Sequence, residues 1–209
     1  MERKPKIKIC GMKHPENIRE AAALHPDYMG FIFWERSPRF FTGMLPELPE
    51  TIKKTGVFVN APAEKMTFAV QQHRLHALQL HGDESPELCR QLKTYYKEHV
   101  EIIKVFSMKD SFNFKAVTPY EEGCDYFLFD TGGKLPGGNG ATFDWTVLND
   151  YPSQKPFFLS GGIGPETVEN IKELLKTSLP VYAIDVNSRF EKQPGVKNKE
   201  LLQHFMKSF

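Results

Sequence analysis

The chain repeats one arrangement of apolar and polar residues along its whole length. Short runs rich in β-branched and aromatic residues alternate with longer stretches whose apolar residues recur at helical spacing. Successive short runs start 21 to 31 residues apart, which is the length of one strand, one helix and two loops. The runs are IKICGM (7–12), YMGFIF (28–33), TGVFVN (55–60), HALQLH (76–81), EIIKVFS (101–107), CDYFLFDT (124–131), KPFFLSG (155–161) and VYAIDVN (181–187).

The stretches between these runs carry helix start signals of uneven clarity. The clear ones open at or near a proline with a glutamate close behind, and they are PENIREAAAL (15–24), PAEKMTFAVQQH (62–73), SPELCRQLKTYY (85–96) and PETVENIKELLK (165–176). A last helical stretch, 198–209, closes the chain. The second, fifth and sixth stretches are less clear, because prolines interrupt 45–54 and 113–122. Alternating strands and helices predict a single (β/α)8 TIM barrel over residues 1–209, with a doubly wound open sheet as the alternative.

Composition removes several classes of protein from consideration. The 209 residues have a formal net charge of +1, so bulk electrostatics favours neither nucleic acid nor a membrane as a partner. No apolar run approaches the roughly 18 residues of a membrane span, and no signal peptide is recognisable. Three cysteines at unrelated spacings argue against a disulfide framework. We therefore expect a cytoplasmic protein.

Side-chain alternation along the strands selects the candidate chemistry. Because strand side chains alternate between faces, the apolar set should cover the helix layer and the polar set should point toward the barrel axis. That places Cys10, His81, Asp130 and Asp185 inward, at the carboxyl ends of their strands, where barrel enzymes keep their active sites. Purely structural roles stay open at this point: a strand cysteine is often a small buried apolar residue, and His81 and Asp130 are each compatible with a capping or turn role. Cys89 and Cys124 are predicted to be structural.

Three segments rich in small residues indicate anion binding. Five of the 15 glycines lie between Gly132 and Gly140, directly after Asp130. Segments 159–168 and 185–198 place small residues after the seventh and eighth strands, where barrels commonly bind phosphate through backbone N–H groups. Each segment alone is also compatible with a glycine-rich turn. Together they predict a phosphorylated small-molecule substrate, and no Cys or His spacing predicts a metal or other cofactor.

With these features in place, the chain resembles the phosphoribosylanthranilate isomerases of tryptophan biosynthesis almost from end to end. The matching blocks are KICGM (8–12), GFIFWERSPRF (30–40), VFVN (57–60), QLHGDESPE (79–87), FLFDT (127–131), GGNGATFDW (137–145), LSGGI (159–163) and DVNSRFEKQPGVKN (185–198). The Ser-Pro-Arg block and QLHGDE, together with a cysteine on strand one and an aspartate on strand six, are specific in combination.

The resemblance implies an activity and a set of site residues. The reaction would be the Amadori rearrangement of N-(5-phosphoribosyl)anthranilate, with Asp130 as general acid and Cys10 as general base. Arg39 would bind the anthranilate carboxylate and His81 would lie beside the anthranilate. The resemblance assigns the phosphate to the backbone around Gly138, Gly140, Gly161, Gly162 and Ser188. It requires no cofactor, and it leaves a monomer and a homodimer equally open.

The chain departs from the family pattern beside the phosphate. Asn139 stands where Thr is expected, Ser160 where Ala is expected, and Arg189-Phe190 where Gly-Val is expected. These changes put the identity of the phosphate donors in doubt without touching Cys10 or Asp130. Two other kinds of function stay open: a different phosphosugar barrel enzyme such as indoleglycerol-phosphate synthase, for which Lys8 near the lumen is the candidate lysine, and a non-catalytic barrel that binds a phosphorylated metabolite.

Overall fold

Eight parallel strands close into a barrel in chain order. The computed structural model describes residues 4–109, 111–131 and 144–209. Each strand pairs with its neighbours in the sequence, and β1 pairs with β8, which confirms the predicted barrel over the open sheet. The strands are β1 (Lys6–Ile9), β2 (Tyr28–Ile32), β3 (Lys53–Phe58), β4 (Ala77–Leu80), β5 (Glu101–Met108), β6 (Tyr126–Thr131), β7 (Phe157–Leu159) and β8 (Val181–Val186).

Within the described residues, α-helices form at the four stretches with clear start signals and at the stretch that closes the chain. They are α1 (Pro15–Ala22), α2 (Ala63–His73), α3 (Pro86–Tyr96), α4 (Val168–Leu175) and α5 (Lys199–Met206). The start of α3 shows why the local sequence is helical: the Ser85 side chain accepts a hydrogen bond from the Leu88 N–H, and Pro86 occupies the first turn. None of the described helices is both long enough and apolar enough to cross a bilayer.

Of the three unclear helical stretches, the second and the fifth do not form full α-helices, and the sixth lies partly outside the described residues. Between β2 and β3 the chain runs through turns around its prolines, and between β5 and β6 it forms only two short 3₁₀ helices, Phe114–Ala116 and Thr118–Tyr120. Further 3₁₀ helices span Trp145–Asp150, Pro165–Thr167 and Ser188–Phe190. Proline lacks the N–H that an α-helix interior requires, which accounts for the absence of a full α-helix in the two described stretches that prolines interrupt, 45–54 and 113–122. After β8 a small hairpin, β9 (Glu191–Gln193) with β10 (Val196–Lys197), interrupts the pattern, and the periodicity did not predict it.

The predicted alternation of faces holds for most strands. Ile7 and Ile9 belong to the large core between strands and helices, whereas Lys8 is fully buried in the barrel lumen and pairs in register with Asp185. Tyr182 is an exception, because we expected it to face outward. It packs instead with the lumenal aromatic residues. Phe157 pairs with Val181 and Phe158 with Ala183, so Tyr182 is an extra residue on β8 with no partner on β7, and the alternation of faces is interrupted there.

Phe129 lies at the centre of the aromatic packing outside β6. It is fully buried, and its ring centroid lies within 6.3 Å of five others, those of Phe106, Phe112, Phe114, Tyr151 and Phe157. The strand that ends at Asp130 is therefore anchored by ring packing one residue before the carboxylate.

Replacing Phe129 with alanine should lower the free energy of unfolding by about 3–5 kcal/mol, because it removes a buried ring and leaves a cavity. The measurement is urea unfolding followed by circular dichroism. Phe68→Ala is the matched control, because Phe68 is 65% exposed and its loss should change stability by less than about 0.5 kcal/mol. Equal losses in the two variants would contradict the packing described here.

Candidate active site

One pocket opens at the carboxyl ends of the strands and gathers the described candidate residues. Cys10 reaches it from β1 and Asp130 from β6, on different parts of the rim. The other predicted site residues that line it are Arg39, His81, Gly161, Gly162 and Ser188. Gly138 and Gly140, with the rest of the glycine cluster and Asn139, lie outside the described residues. The pocket therefore brings together every candidate residue that the structure describes.

Cys10 is held tightly at the end of β1. Its backbone N–H donates to the Val186 carbonyl across the β1–β8 seam at 2.9 Å. The thiol is buried against Gly30 of β2, where an added Cβ would lie only 2.7 Å from the sulfur. Burial raises the pKa of the Cys10 thiol, and the charge of Lys8 opposes that effect without overcoming it. The protein alone therefore favours the thiol over the thiolate.

His81 and Asp130 face each other across the pocket floor. The His81 Nε2 lies 3.3 Å from Asp130 Oδ2, but it makes no hydrogen bond within the described part of the chain. The other ring nitrogen, Nδ1, lies 3.2 Å from Gln79 Nε2, and the second Asp130 oxygen accepts from the Thr131 N–H at 2.9 Å. Each side chain is thus anchored on one side and presents a polar atom to the pocket.

A buried ion pair supports the loop that carries His81. The Lys104 ammonium on β5 donates to the Gly82 carbonyl at 2.6 Å and to Glu84 Oε2 at 2.9 Å. The Glu84 carboxylate accepts in turn from the backbone N–H groups of Asn60 and Gly82. The sequence analysis did not identify either member of this pair. The Glu in QLHGDE was a usable signal, but its partner lies 20 residues further along the chain.

Arg39 is oriented by the unexpected β9–β10 hairpin. Its guanidinium makes a forked contact with the Glu191 carboxylate, Nε to Oε1 at 2.9 Å and Nη2 to Oε2 at 2.7 Å. The Lys197 ammonium binds the same carboxylate at 2.7 Å and the Asn187 Oδ1 at 2.6 Å. A rigid fork of this kind suits a carboxylate-binding arginine. Glu191 and Lys197 were not predicted as site residues.

This cluster has shifted ionisation equilibria. Burial alone would raise the pKa of Glu191, but the Arg39 hydrogen bond and the Lys197 charge lower it on balance. Burial lowers the pKa of Lys197 to about 8, although Glu191 opposes the effect. Arg39 is therefore held by a carboxylate that stays ionised at neutral pH.

Consecutive left-handed glycines form the pocket wall after β7. Gly161 has φ +88° and Gly162 has φ +65°, conformations that glycine adopts without steric penalty. A Cβ on Gly161 would collide with the backbone N and the Oγ1 of Thr131 at the end of β6. The close approach brings the backbone of Gly161 and Gly162 to the rim of the pocket.

The departures from the family pattern have structural partners. Ser160 donates a hydrogen bond to Asp185 Oδ2 at 3.2 Å, and Asp185 also pairs with Lys8 at 2.8 Å. Arg189, next to Ser188, lines the pocket and forms an ion pair with Glu166 from the loop after β7. Ser160 therefore supports a lumenal carboxylate, and Arg189 adds a cation at the pocket edge.

Comparison with known proteins places this fold and pocket in one family. The model of the N-(5'-phosphoribosyl)anthranilate isomerase family matches residues 7–208. A protein of that name from Parabacteroides distasonis is 44% identical over 207 residues, covering 96% of this chain and 91% of its own. Its counterpart from Phocaeicola vulgatus is 41% identical over 201 residues, covering 96% of this chain and 95% of its own.

Solved structures agree with the sequence relatives. The phosphoribosyl anthranilate isomerase of Thermotoga maritima superposes with a TM-score of 0.81 at 30% identity, over 98% of each chain. A phosphoribosyl anthranilate isomerase bound to reduced 1-(o-carboxyphenylamino)-1-deoxyribulose 5-phosphate superposes with a TM-score of 0.78 at 28% identity, over 98% of this chain and 97% of that one. The chain therefore belongs to the N-(5'-phosphoribosyl)anthranilate isomerase family.

Proposed function

We propose that the chain catalyses the Amadori rearrangement of N-(5-phosphoribosyl)anthranilate in tryptophan biosynthesis, with Asp130 as general acid and Cys10 as general base. The observation that carries the proposal is that both side chains line the same pocket, from different strands of the barrel. Arg39 lies in the same pocket with an oriented guanidinium, and the Gly161–Gly162 backbone forms another wall. The substrate has a carboxylate at one end and a phosphate at the other, which matches this distribution of groups.

The first step opens the sugar ring. Asp130 gives its proton to the ring oxygen as the bond between that oxygen and C1 breaks. The lone pair of the anthranilate nitrogen forms a C1=N bond, which leaves a cationic iminium. His81, whose Nε2 lies 3.3 Å from the Asp130 carboxylate, is placed to contact the substrate beside this acid.

The second step moves a proton from carbon. The Cys10 thiolate takes the C2 proton, the C–H electrons form a C1=C2 bond, and the C=N electrons return to nitrogen. The resulting enolamine becomes the ketone when its C2 hydroxyl loses a proton and C1 gains one. Because burial raises the pKa of the Cys10 thiol in the protein alone, the positive iminium supplies a further charge that favours the thiolate when it is needed.

Binding groups hold the two ends of the substrate. Arg39, clamped by Glu191, receives the anthranilate carboxylate, and His81 borders the aromatic ring. The phosphate binds the backbone around Gly161, Gly162 and Ser188, with Gly138 and Gly140 contributing from the glycine cluster. Positioning of this kind supplies much of the rate enhancement that acid–base catalysis does not.

The alternatives fit the pocket less well. Indoleglycerol-phosphate synthase chemistry would need an available lumenal lysine, but the candidate Lys8 is fully buried in an ion pair with Asp185. A metabolite sensor would not need a cysteine and an aspartate at facing strand ends. We extend the proposal to the whole chain as one catalytic domain, residues 1–209, located in the cytoplasm and acting as a monomer or homodimer on its small-molecule substrate.

Removal of the acid or the base should strongly reduce turnover while leaving the fold intact. Cys10→Ala and Asp130→Asn should each lower kcat by roughly 10²–10⁴-fold, because each removes one positioned proton transfer. The assay follows the loss of substrate fluorescence, with phosphoribosylanthranilate generated in situ from anthranilate and phosphoribosyl pyrophosphate.

Cys89→Ala is the control, because Cys89 is a buried cysteine on α3 that does not line the pocket, and this variant should retain activity. A folded Cys10→Ala protein with wild-type kcat would refute the role of the thiol. Tight substrate binding without turnover in the wild-type protein would favour the sensor.

Gly161→Ala should raise KM for the substrate and weaken inhibition by inorganic phosphate, because the added Cβ displaces the loop from Thr131. Gly43→Ala is the matched control: its φ of +89° is almost identical, but no atom lies within 4 Å of the added Cβ. That variant should lose about 1 kcal/mol of stability from backbone strain and keep its KM. Steady-state kinetics with phosphate as inhibitor makes the comparison, and equal KM values in both variants would argue against a phosphate site at Gly161.

A further inference from the structure

A second lumenal side chain lies beside the proposed base. Lys8 precedes Cys10 by two residues on β1, so both side chains leave the strand on the lumenal face. The Lys8 side chain is fully buried. Its ammonium lies 2.8 Å from Asp185 Oδ1, on the same lumenal face as the neighbouring Cys10 side chain. The ammonium therefore pairs with a carboxylate beside the thiol, and the reaction as written above does not use it.

The barrel closure holds this ammonium in place and charged. Lys8 and Asp185 are direct partners in the β1–β8 register, and Ser160 from the end of β7 donates to the other Asp185 oxygen. Burial would lower the pKa of Lys8, but Asp185 and Cys10 raise it on balance. Because its pKa is raised above the ordinary lysine value, the Lys8 ammonium stays protonated at neutral pH.

Lys8 is the main charge that opposes the desolvation of Cys10. Among the described residues, the main charges that act on the thiol belong to Lys8 of β1, Asp185 of β8 and Lys197 of β10. Asp185 acts against the thiolate, and Lys197 is engaged by Glu191 and Asn187. More distant charges belong to Arg39, which is held by Glu191, and to Asp130 of β6, which acts on Asp185. Among these charges, that of Lys8 favours the thiolate most strongly.

We infer that Lys8 is a positioning residue for the isomerase reaction, whose buried ammonium lies beside Cys10 on the lumenal face and stabilises the thiolate that removes the C2 proton. The inference rests on the proposed function in which Cys10 is the base. A thiolate in a water-poor barrel lumen needs a nearby cation, because low polarity disfavours the bare anion. Asp185 has a corresponding task, which is to keep that cation charged when the sulfur is still protonated.

The direct test is the titration of Cys10 in the free protein. Protein labelled with ¹³C at cysteine Cβ is followed by NMR as pH rises, and a Cys10→Ala sample assigns the signal. Lys8→Met should raise the midpoint pH of the Cys10 titration by about one unit or more. At any pH below the midpoint, the variant then contains about tenfold less thiolate than the wild-type protein. Lys8→Arg retains a cation and should restore most of the shift.

Kinetics gives a second reading of the same effect. In Lys8→Met the rising limb of kcat/KM against pH should move in the alkaline direction, with activity recovering at high pH. Lys53→Met is the matched control, because Lys53 also pairs with a carboxylate, Glu101, but lies at the opposite end of the strands. It should leave both the Cys10 titration and the pH profile unchanged.

Loss of Lys8 leaves Asp185 as an unpaired buried charge, which destabilises the fold of Lys8→Met. The double variant, Lys8→Met with Asp185→Asn, removes both charges. The midpoint pH of the Cys10 titration should still rise in it, because Lys8 acts on the thiol more strongly than Asp185 does. The rise should be smaller than in Lys8→Met alone. An unchanged Cys10 titration in the folded double variant would overturn the inference. The titration needs no substrate, so absence of isomerase turnover in the wild-type protein would refute the proposed function separately.

Discussion

The hydrogen-bonded closure between β1 and β8 is the constraint on which the site depends. It pairs Lys8 with Asp185 and ties the Cys10 N–H to the Val186 carbonyl. Because all eight strands run parallel, the same closure brings Asp130 at the end of β6 to the rim on which Cys10 lies. Two side chains 120 residues apart in the sequence, the proposed acid and base, therefore line the same pocket from different strands.

Charge compensation is the second organising feature, since the rim buries several ionised groups. Glu191 holds Arg39 and Lys197, Asp185 holds Lys8, and Glu84 holds Lys104. Buried ion pairs of this kind do little for net stability compared with apolar packing. These ion pairs place functional groups instead. Glu191 orients the Arg39 guanidinium, the Lys8–Asp185 pair lies beside the Cys10 thiol, and the Lys104–Glu84 pair supports the loop that carries His81. The apolar packing around Phe129 supplies the stability that these pairs do not.

Strand periodicity was sufficient to predict the barrel and the inward positions of Cys10, His81 and Asp130, because parallel strands make side-chain parity a reliable guide. It failed at Tyr182, where the register shift between β7 and β8 removes the alternation that the prediction used. It also missed Glu191 as the partner of Arg39, since 152 residues separate them and neither strand nor helix spacing connects them. The resemblance assigned Arg39 a ligand, but only the fold reveals what orients its guanidinium.

The most direct test of the proposed acid and base is a crystal structure of this chain with reduced 1-(o-carboxyphenylamino)-1-deoxyribulose 5-phosphate. We expect the phosphate on the Gly161 and Gly162 backbone and the carboxylate on Arg39. We also expect the Cys10 sulfur and the Asp130 carboxyl on different sides of the sugar chain, each about 3–3.5 Å from its nearest reacting atom. A ligand bound in the reverse orientation, or one that leaves Cys10 out of contact with C2, would contradict the assignment of acid and base.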